Sequence, residues 1–167
     1  AWSTETAYHR SEKLLEAHRL MLERQEMLAE LLTLEQGKPL RAARNEIRYA
    51  ADFLSWFAEE AKRVYGSTIP SSRSGHRFTV LRQPVGVVAA ITPWNYPVSM
   101  ITRKVAPALA AGCTVVVKPA EQTPLCAAAV VQILSDAGIA PGVVNLVTTA
   151  RQRWWVKNFW APTTSVN

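Results

Sequence analysis

Apolar residues recur with two different periods along the 167-residue chain, and the change of period divides it into two regions. Between residues 4 and 36, leucines return at roughly helical spacing, which predicts one long helix that ends at Gly37. A second helix is predicted from Pro39 to about Tyr65, with alanines and larger apolar residues on one face. Because the joint between them is short, the two helices are expected to pack as an antiparallel pair over residues 1–66.

Beyond this pair the pattern changes to strands that alternate with helices. Residues 66–76 are rich in Ser, Pro and Gly and predict a loop, and the alternation over residues 77–83 predicts a strand. Three further strands and two helices follow in turn, with the strands at Val87–Ile91, Thr114–Val117 and Val143–Val147 and the helices at Pro97–Ala111 and Thr123–Ala137. The first of these strands is a continuous apolar run, which predicts burial on both faces. This order predicts an α/β fold, one βαβαβ half of a doubly wound, Rossmann-like parallel sheet over residues 67–149.

Polar residues follow two of the predicted strands at the point where each strand ends. Asn95 comes after the first apolar strand, and Lys118 and Glu121 come at the end of the second. Ligands of open parallel sheets bind outside the carboxyl ends of the strands. These three side chains are therefore expected to converge on one crevice.

Each of these residues has two interpretations on spacing alone. Glu121 either accepts hydrogen bonds from a ribose or is a solvated loop residue, and Lys118 either contacts an adenosine or is a solvated strand end. Asn95 is either a turn residue or an amide donor for an oxyanion. Arg103 either binds a substrate carboxylate or is one of two surface charges with Lys104, and spacing favours the surface interpretation.

Several kinds of chemistry receive no support from the chain. No glycine-rich phosphate loop is present, although the helix that starts at Thr123, the predicted N-cap residue, could offer its amides to an anion. Cys113 and Cys126 have no neighbouring histidine in the sequence and are predicted to be small core residues. The histidines and cysteines show no metal-ligand spacing, so no metal site is predicted.

Charge and hydropathy argue against a nucleic-acid-binding protein and against a membrane protein. The net charge is +6 and the pI is about 9.7, but the basic residues are interleaved with glutamates along the two helices, which argues against a nucleic-acid partner. No apolar run is long enough to predict a membrane span, and the polar N-terminus shows no signal peptide. With only two cysteines, a reducing, cytoplasmic setting is expected.

Three segments carry a resemblance to a known family. The runs Leu34–Pro39, Trp56–Glu60 and above all Ile91–Pro124, which contains Ile-Thr-Pro-Trp-Asn-Tyr-Pro and Val-Lys-Pro-Ala-Glu-Gln-Thr-Pro, closely resemble the aldehyde dehydrogenase superfamily. Within it, the chain looks most like the succinate-semialdehyde dehydrogenases. The similarity covers about residues 2–149.

The resemblance implies a role for each matching position. Asn95 would be the family's oxyanion-hole asparagine, and Arg103 would bind the carboxylate of a substrate such as succinic semialdehyde. Glu121 favours NAD as the cofactor, with NADP as the alternative. The implied cofactor-binding residues are Ile91, Thr92, Pro93, Trp94, Asn95, Lys118, Pro119, Ala120 and Glu121.

The same resemblance implies that two catalytic residues of the family are missing from this chain. In the family, the nucleophilic cysteine and the general-base glutamate lie beyond the matching region, and neither Cys113 nor Cys126 corresponds to the nucleophile. The chain is therefore expected to be an inactive fragment of an NAD(P)-dependent aldehyde dehydrogenase from a homo-oligomeric family. The alternative is a non-catalytic fragment that binds NAD or joins other subunits.

Residues 150–167 break both patterns. They contain three of the six tryptophans and follow no helical or strand period. Codons that fit Trp154–Val166, when read in another frame, give Val-Gly-Glu-Glu-Leu-Leu-Gly-Ser-Asp-Asp-Val-Arg, which matches the family's continuation. A frameshift between about Val147 and Trp154 is therefore the favoured hypothesis, with a genuinely divergent tail as the alternative, and residues 150–167 are expected to be disordered.

Overall fold

The computed structural model describes residues 2–149. It contains a short 3-10 helix at Trp2–Thr4, five α-helices and five strands. The helices are α1 (Ala7–Glu23), α2 (Gln25–Gln36), α3 (Leu40–Ala61), α4 (Ser99–Ala110) and α5 (Pro124–Asp136). The strands are β1 (Ser67–Pro70), β2 (Arg77–Val80), β3 (Val87–Ile91), β4 (Thr114–Lys118) and β5 (Val144–Leu146). The prediction for residues 150–167 lies outside the described residues.

The single long helix predicted for residues 4–36 is wrong, because two helices occupy that stretch. Arg24, with φ −95° and ψ 17°, interrupts the helical backbone between α1 and α2. Its guanidinium pairs at 2.5 Å with Asp136 on α5, so the break lies where the helical region meets the α/β region. No glycine or proline marks this position, and the local sequence therefore carries no signal for it.

The helix α3 is the centre of the core. Its buried face consists of Ala43, Glu46, Ile47, Ala50, Ala51, Leu54, Ala58 and Ala61. The helix packs against α1 and α2 on one side and against α4 on the other. Small side chains on a helix let neighbouring backbones approach closely, so this alanine-rich face joins the N-terminal helices to the α/β region as one hydrophobic cluster.

The sheet confirms the predicted α/β class. The strands β3, β4 and β5 are parallel and lie in that order, with Ile91 opposite Lys118 in the register of the first pair. The helices α4 and α5 contact each other and α1, which places both on the same face of the sheet. The expectation that Val87–Ile91 is covered on both faces is wrong: Val87 is 71% exposed and Ile91 38%, whereas Ala90 is fully buried.

The predicted loop at residues 66–76 also needs correction. Its first part, Ser67–Pro70, forms β1, which pairs antiparallel with Arg77–Val80. Both strands of this hairpin are exposed along their whole length. Because no face of β1 is buried, its sequence shows no alternation of apolar and polar residues that would predict a strand. Among residues 2–149, no helix is both long and apolar enough to cross a membrane.

Candidate functional site

The carboxyl ends of β3 and β4 lie side by side at one end of the parallel sheet, where the sequence predicted ligand-binding residues. We call this end the carboxyl edge of the sheet. The Thr92 amide donates to the Lys118 carbonyl at 3.1 Å, directly after the last paired residues of the two strands. Thr92 is buried, whereas Ile91 and Trp94 are partly exposed, and Pro119 and Ala120 are buried. The segments that follow the two strands therefore begin side by side.

Lys118 and Glu121 form an ion pair at this edge. The side chain of Lys118 is 5% exposed and that of Glu121 21%, and the ammonium contacts Oε1 of the carboxylate. Burial acts to raise the pKa of Glu121, but the hydrogen bond and the charge of Lys118 outweigh it and hold that pKa below its ordinary value. Glu121 therefore presents a negative charge at neutral pH.

Two buried hydroxyls belong to residues near this pair, since Thr123 follows Glu121 by two residues and the Thr92 amide donates to the Lys118 carbonyl. Within the described residues, Oγ1 of Thr92 and Oγ1 of Thr123 have no hydrogen-bond partner. Buried polar groups are usually satisfied, and an orphaned one is often explained by an absent ligand or water. A ligand that carries hydroxyl groups fits this edge, because carboxylate and threonine oxygens accept hydrogen bonds from hydroxyls.

The helix α5 does not offer its N-terminal amides to an anion, which corrects the prediction made from its sequence. The carboxylate of Glu35 on α2 already accepts hydrogen bonds from the amides of Leu125 at 2.6 Å and Cys126 at 2.8 Å. Thr123 is the N-cap residue of α5, as predicted, although its side chain makes no capping hydrogen bond. A second anion at this position would meet the charge of Glu35.

Asn95 lies in the exposed segment between β3 and α4. Its carbonyl accepts hydrogen bonds from Nε2 of Gln36 at 3.0 Å and from Nζ of Lys38 at 3.0 Å. Its side-chain amide has no partner among residues 2–149 and remains available to a ligand. No hydrogen bond joins Asn95 to Lys118 or Glu121 in the described part of the chain, so their predicted convergence on one crevice stays a prediction.

Arg103 lines a cleft of about 500 Å³ between α3 and α4. The other lining residues are Ala42, Asn45, Glu46, Tyr49, Tyr96, Ser99 and Met100. Arg103 is exposed and forms no ion pair within residues 2–149, and the only acid of the lining, Glu46, is paired with Lys38. The guanidinium is thus available to an anionic ligand, and Tyr96 connects this cleft to the segment that carries Asn95.

Both cysteines are buried and free, as expected of small core residues. Burial raises the pKa of the Cys126 thiol well above its ordinary value, and the nearby Glu35 carboxylate raises it further. A neutral, buried thiol is a poor nucleophile. The Cys126 thiol is therefore not suited to attack a substrate, and Cys113 is buried as well.

The helical pair contributes residues that the sequence did not identify. Glu35, Gln36, Lys38 and Glu46 hold the segments before α4 and α5, but each does so through contacts across the fold. One signal was present: Glu46 stands at an apolar position of the α3 pattern, between Ala43 and Ile47. A charged residue at such a position needs a buried partner.

A parallel half-sheet with a helical layer on one face is typical of doubly wound α/β folds, and comparisons with known proteins identify the family. A crystal structure of an aldehyde dehydrogenase from Brucella melitensis biovar abortus superposes with a TM-score of 0.89 at 54% identity, over 90% of this chain and 31% of that one. A sequence model of the aldehyde dehydrogenase family matches residues 1–155. The chain belongs to the aldehyde dehydrogenase family.

Two of the similar curated proteins are named as semialdehyde dehydrogenases. The chain is 58% identical over 148 residues to glutarate-semialdehyde dehydrogenase from Pseudomonas putida. It is 56% identical over 148 residues to succinate-semialdehyde dehydrogenase [NADP(+)] from Escherichia coli. Each match covers 89% of this chain and 31% of the relative, so the chain spans about a third of the length of these proteins.

Proposed function

We propose that the chain is the N-terminal part of an NAD(P)-dependent dehydrogenase that oxidises a semialdehyde to the dicarboxylic acid. The observation that carries this proposal is the unpaired Arg103 guanidinium in a cleft adjoining the Asn95 segment. A semialdehyde has an aldehyde at one end and a carboxylate at the other, and a guanidinium binds carboxylates in a bidentate fashion. The names of the two curated relatives support this substrate class.

Asn95 would act at the aldehyde end. Its free side-chain amide would donate a hydrogen bond to the oxygen that becomes negatively charged when a nucleophile attacks the aldehyde carbon. Donors of this kind stabilise the charge that develops in the transition state. Arg103 would bind the carboxylate at the other end of the substrate. The separation between Asn95 and Arg103 would then select semialdehydes of matching length.

Lys118 and Glu121 would hold the ribose of the adenosine half of the cofactor, with Thr92 and Thr123 as nearby hydroxyl partners. The orphaned threonine oxygens and the acidic Glu121 fit a sugar diol. When bound, the cofactor supplies the acceptor for the hydride that leaves the substrate. The negative charge of Glu121 disfavours a 2′-phosphate, so we expect a preference for NAD over NADP.

The 167-residue chain alone is expected to be inactive. The family's reaction needs a thiolate nucleophile and a base, and the two cysteines of the described region are buried in the core. Purified chain with succinic or glutaric semialdehyde and either cofactor should give no increase in absorbance at the wavelength of the reduced nicotinamide. Turnover above the background of a no-protein sample would contradict this expectation.

The proposal is tested in a hybrid in which residues 2–149 replace the matching segment of the Escherichia coli relative. The hybrid should oxidise succinic semialdehyde and use NAD better than its parent does, because it carries Glu121. Asn95→Ala should lower kcat by about 10²–10³-fold, as the loss of an oxyanion donor does elsewhere. Arg103→Ala should instead raise KM for the semialdehyde while leaving an uncharged aldehyde unaffected.

Lys104→Ala is the matched control for the cation, because Lys104 neighbours Arg103 on α4 but does not line the cleft. If the Arg103 and Lys104 substitutions raise KM for the semialdehyde equally, then Arg103 does not bind the substrate carboxylate. An Asn95→Ala hybrid with unchanged kcat would remove the oxyanion role.

Setting and assembly follow as further parts of the proposal. Two free, buried cysteines are compatible with a reducing, cytoplasmic location. The exposed apolar side chains on β3 support contact with further protein surface, either the second helical layer of a doubly wound sheet or another subunit of a homo-oligomer. Light scattering on the hybrid and on the chain alone would measure both assembly states.

A further inference from the structure

The segment that carries Asn95 is held in place from the helical layer. Nε2 of Gln36 donates to the Trp94 carbonyl at 3.1 Å and to the Asn95 carbonyl at 3.0 Å. Nζ of Lys38 donates to the same Asn95 carbonyl at 3.0 Å and lies 4.0 Å from the centre of the Tyr96 ring. Two side chains from the end of α2 and the turn after it therefore contact three consecutive residues.

Glu46 extends this anchorage to the start of α4. Its side chain is completely buried, and its Oε1 accepts hydrogen bonds from the amides of Val98 at 3.0 Å and Ser99 at 3.3 Å. The other carboxylate oxygen pairs with Lys38. Since Val98, the N-cap residue of α4, makes no side-chain capping bond, Glu46 is the group that caps this helix.

In the described part of the chain, the exposed segment has few other contacts that fix it, apart from the hydrogen bond that the Met100 amide donates to the Tyr96 carbonyl at 3.0 Å. Within residues 2–149, the Trp94 and Asn95 carbonyls accept hydrogen bonds only from Gln36 and Lys38. Trp94 is 53% exposed and Tyr96 45%, so the packing of their side chains restrains the backbone weakly. The position of the Asn95 backbone therefore depends on two side-chain donors that belong to another element.

We propose that Gln36, Lys38 and Glu46 are positioning residues that set where the Asn95 amide points. The proposal rests on the oxyanion role assigned to Asn95 above. An oxyanion donor must reach the developing charge at hydrogen-bond distance, and a misplacement of about 1 Å can cost about 10²-fold in rate. A carbonyl anchored from both Gln36 and Lys38 fixes the peptide plane from which the Asn95 side chain projects.

The first experiment measures the anchorage in the 167-residue chain itself. Lys38→Met keeps an unbranched, flexible side chain but removes the ammonium, and hydrogen exchange is followed by mass spectrometry over the peptide that contains residues 94–99. Exchange of the Val98 and Ser99 amides, which donate to the Glu46 carboxylate, should accelerate about tenfold or more, because Lys38 no longer holds that carboxylate in place. Exchange in α1 and α5 should stay unchanged, Lys38→Arg should restore protection, and Lys104→Met is the control.

A second substitution keeps the test independent of the buried ion pair. Gln36→Met removes the two amide donations but leaves Lys38 and Glu46 paired, so it does not strand a buried carboxylate. Because its donations go to carbonyls, which carry no exchangeable hydrogen, this variant is measured in the hybrid enzyme, where it should lower kcat by about tenfold or more with little change in KM. An unchanged kcat in the Gln36 variant, or acceleration of exchange in the Lys38 variant spread equally over the whole chain, would overturn the positioning proposal.

The link to chemistry is tested by a double-mutant cycle in the hybrid enzyme. Lys38→Met should lower kcat by about 10- to 100-fold with little change in KM, and the same substitution should cost far less when Asn95 is already alanine. A full, additive cost in the Asn95→Ala background would show that Lys38 does not act through Asn95. If Asn95→Ala alone leaves kcat unchanged, the proposed role of Asn95 fails while the exchange result on the anchorage stands.

Discussion

Glu121 carries its charge in a partly buried position because Lys118 lies against it. Since its pKa is lower in the folded chain than in the unfolded chain, its contribution to stability is present above the unfolded pKa of about 4.3. That contribution is lost as the pH falls through the folded pKa. Lowering the pH from about 5 to 3 should therefore reduce the denaturant midpoint of the chain, and Glu121→Gln should make this reduction smaller.

The measurement is urea unfolding at a series of pH values, followed by circular dichroism. Glu30→Gln serves as the control, because Glu30 is exposed on α2. If the Glu121 and Glu30 variants lose stability in acid as steeply as the original chain, then the Lys118–Glu121 pair does not contribute to folding.

Single residues also show how far the sequence could locate the site. The rule that ligands bind at the carboxyl ends of parallel strands placed Lys118 and Glu121 correctly at the carboxyl edge of the sheet, because that rule depends only on chain order. Spacing favoured a surface role for Arg103, and only the packing of α3 against α4 reveals the cleft around it. The partners of Asn95 lie 57 and 59 residues earlier in the chain, a separation that no local pattern encodes.

At the scale of elements, α5 begins with a cap that another helix supplies. Glu35→Ala should lower the free energy of unfolding by about 1–2 kcal/mol, the usual cost of losing an N-cap acceptor, because the amides of Leu125 and Cys126 lose their partner. Chemical denaturation measures the effect. Glu30→Ala, an exposed change on the same helix, should stay within about 0.5 kcal/mol, and a Glu35 effect of that size would show that water caps α5 equally well.

Helices and strands were predictable wherever the hydrophobic periodicity agreed with glycine and proline residues at the predicted ends. The strands β3, β4 and β5 and the helices α3, α4 and α5 lie near their predicted positions, and Gly37, at φ 80°, ends α2 as expected. The prediction missed the break at Arg24 and the strand β1. The break coincides with the ion pair between Arg24 and Asp136, and β1 forms by pairing with β2, so neither is marked by local residues that prefer a turn or a strand.

At the scale of the whole molecule, the half-sheet has one covered and one bare face within residues 2–149. The apolar run of β3 predicted two covered faces, and doubly wound sheets carry helices on both. In the described part, α4 and α5 lie together on one face, which leaves Val87 and Ile91 exposed on the other. The apolar sequence of β3 therefore fits a strand that is covered on both faces, whereas residues 2–149 cover only one of them.

We expect this bare face to promote self-association of the isolated chain. Val87 lies on an edge strand, 71% exposed, where both apolar contact and unpaired backbone groups favour pairing with another copy. Val87→Lys should shift the chain towards monomer in light scattering coupled to gel filtration. Val85→Lys removes a similar side chain, 86% exposed, outside any strand. Equal effects of the two substitutions would mean that exposed apolar area alone drives association, whereas a larger effect at Val87 assigns the association to the open edge and face of β3.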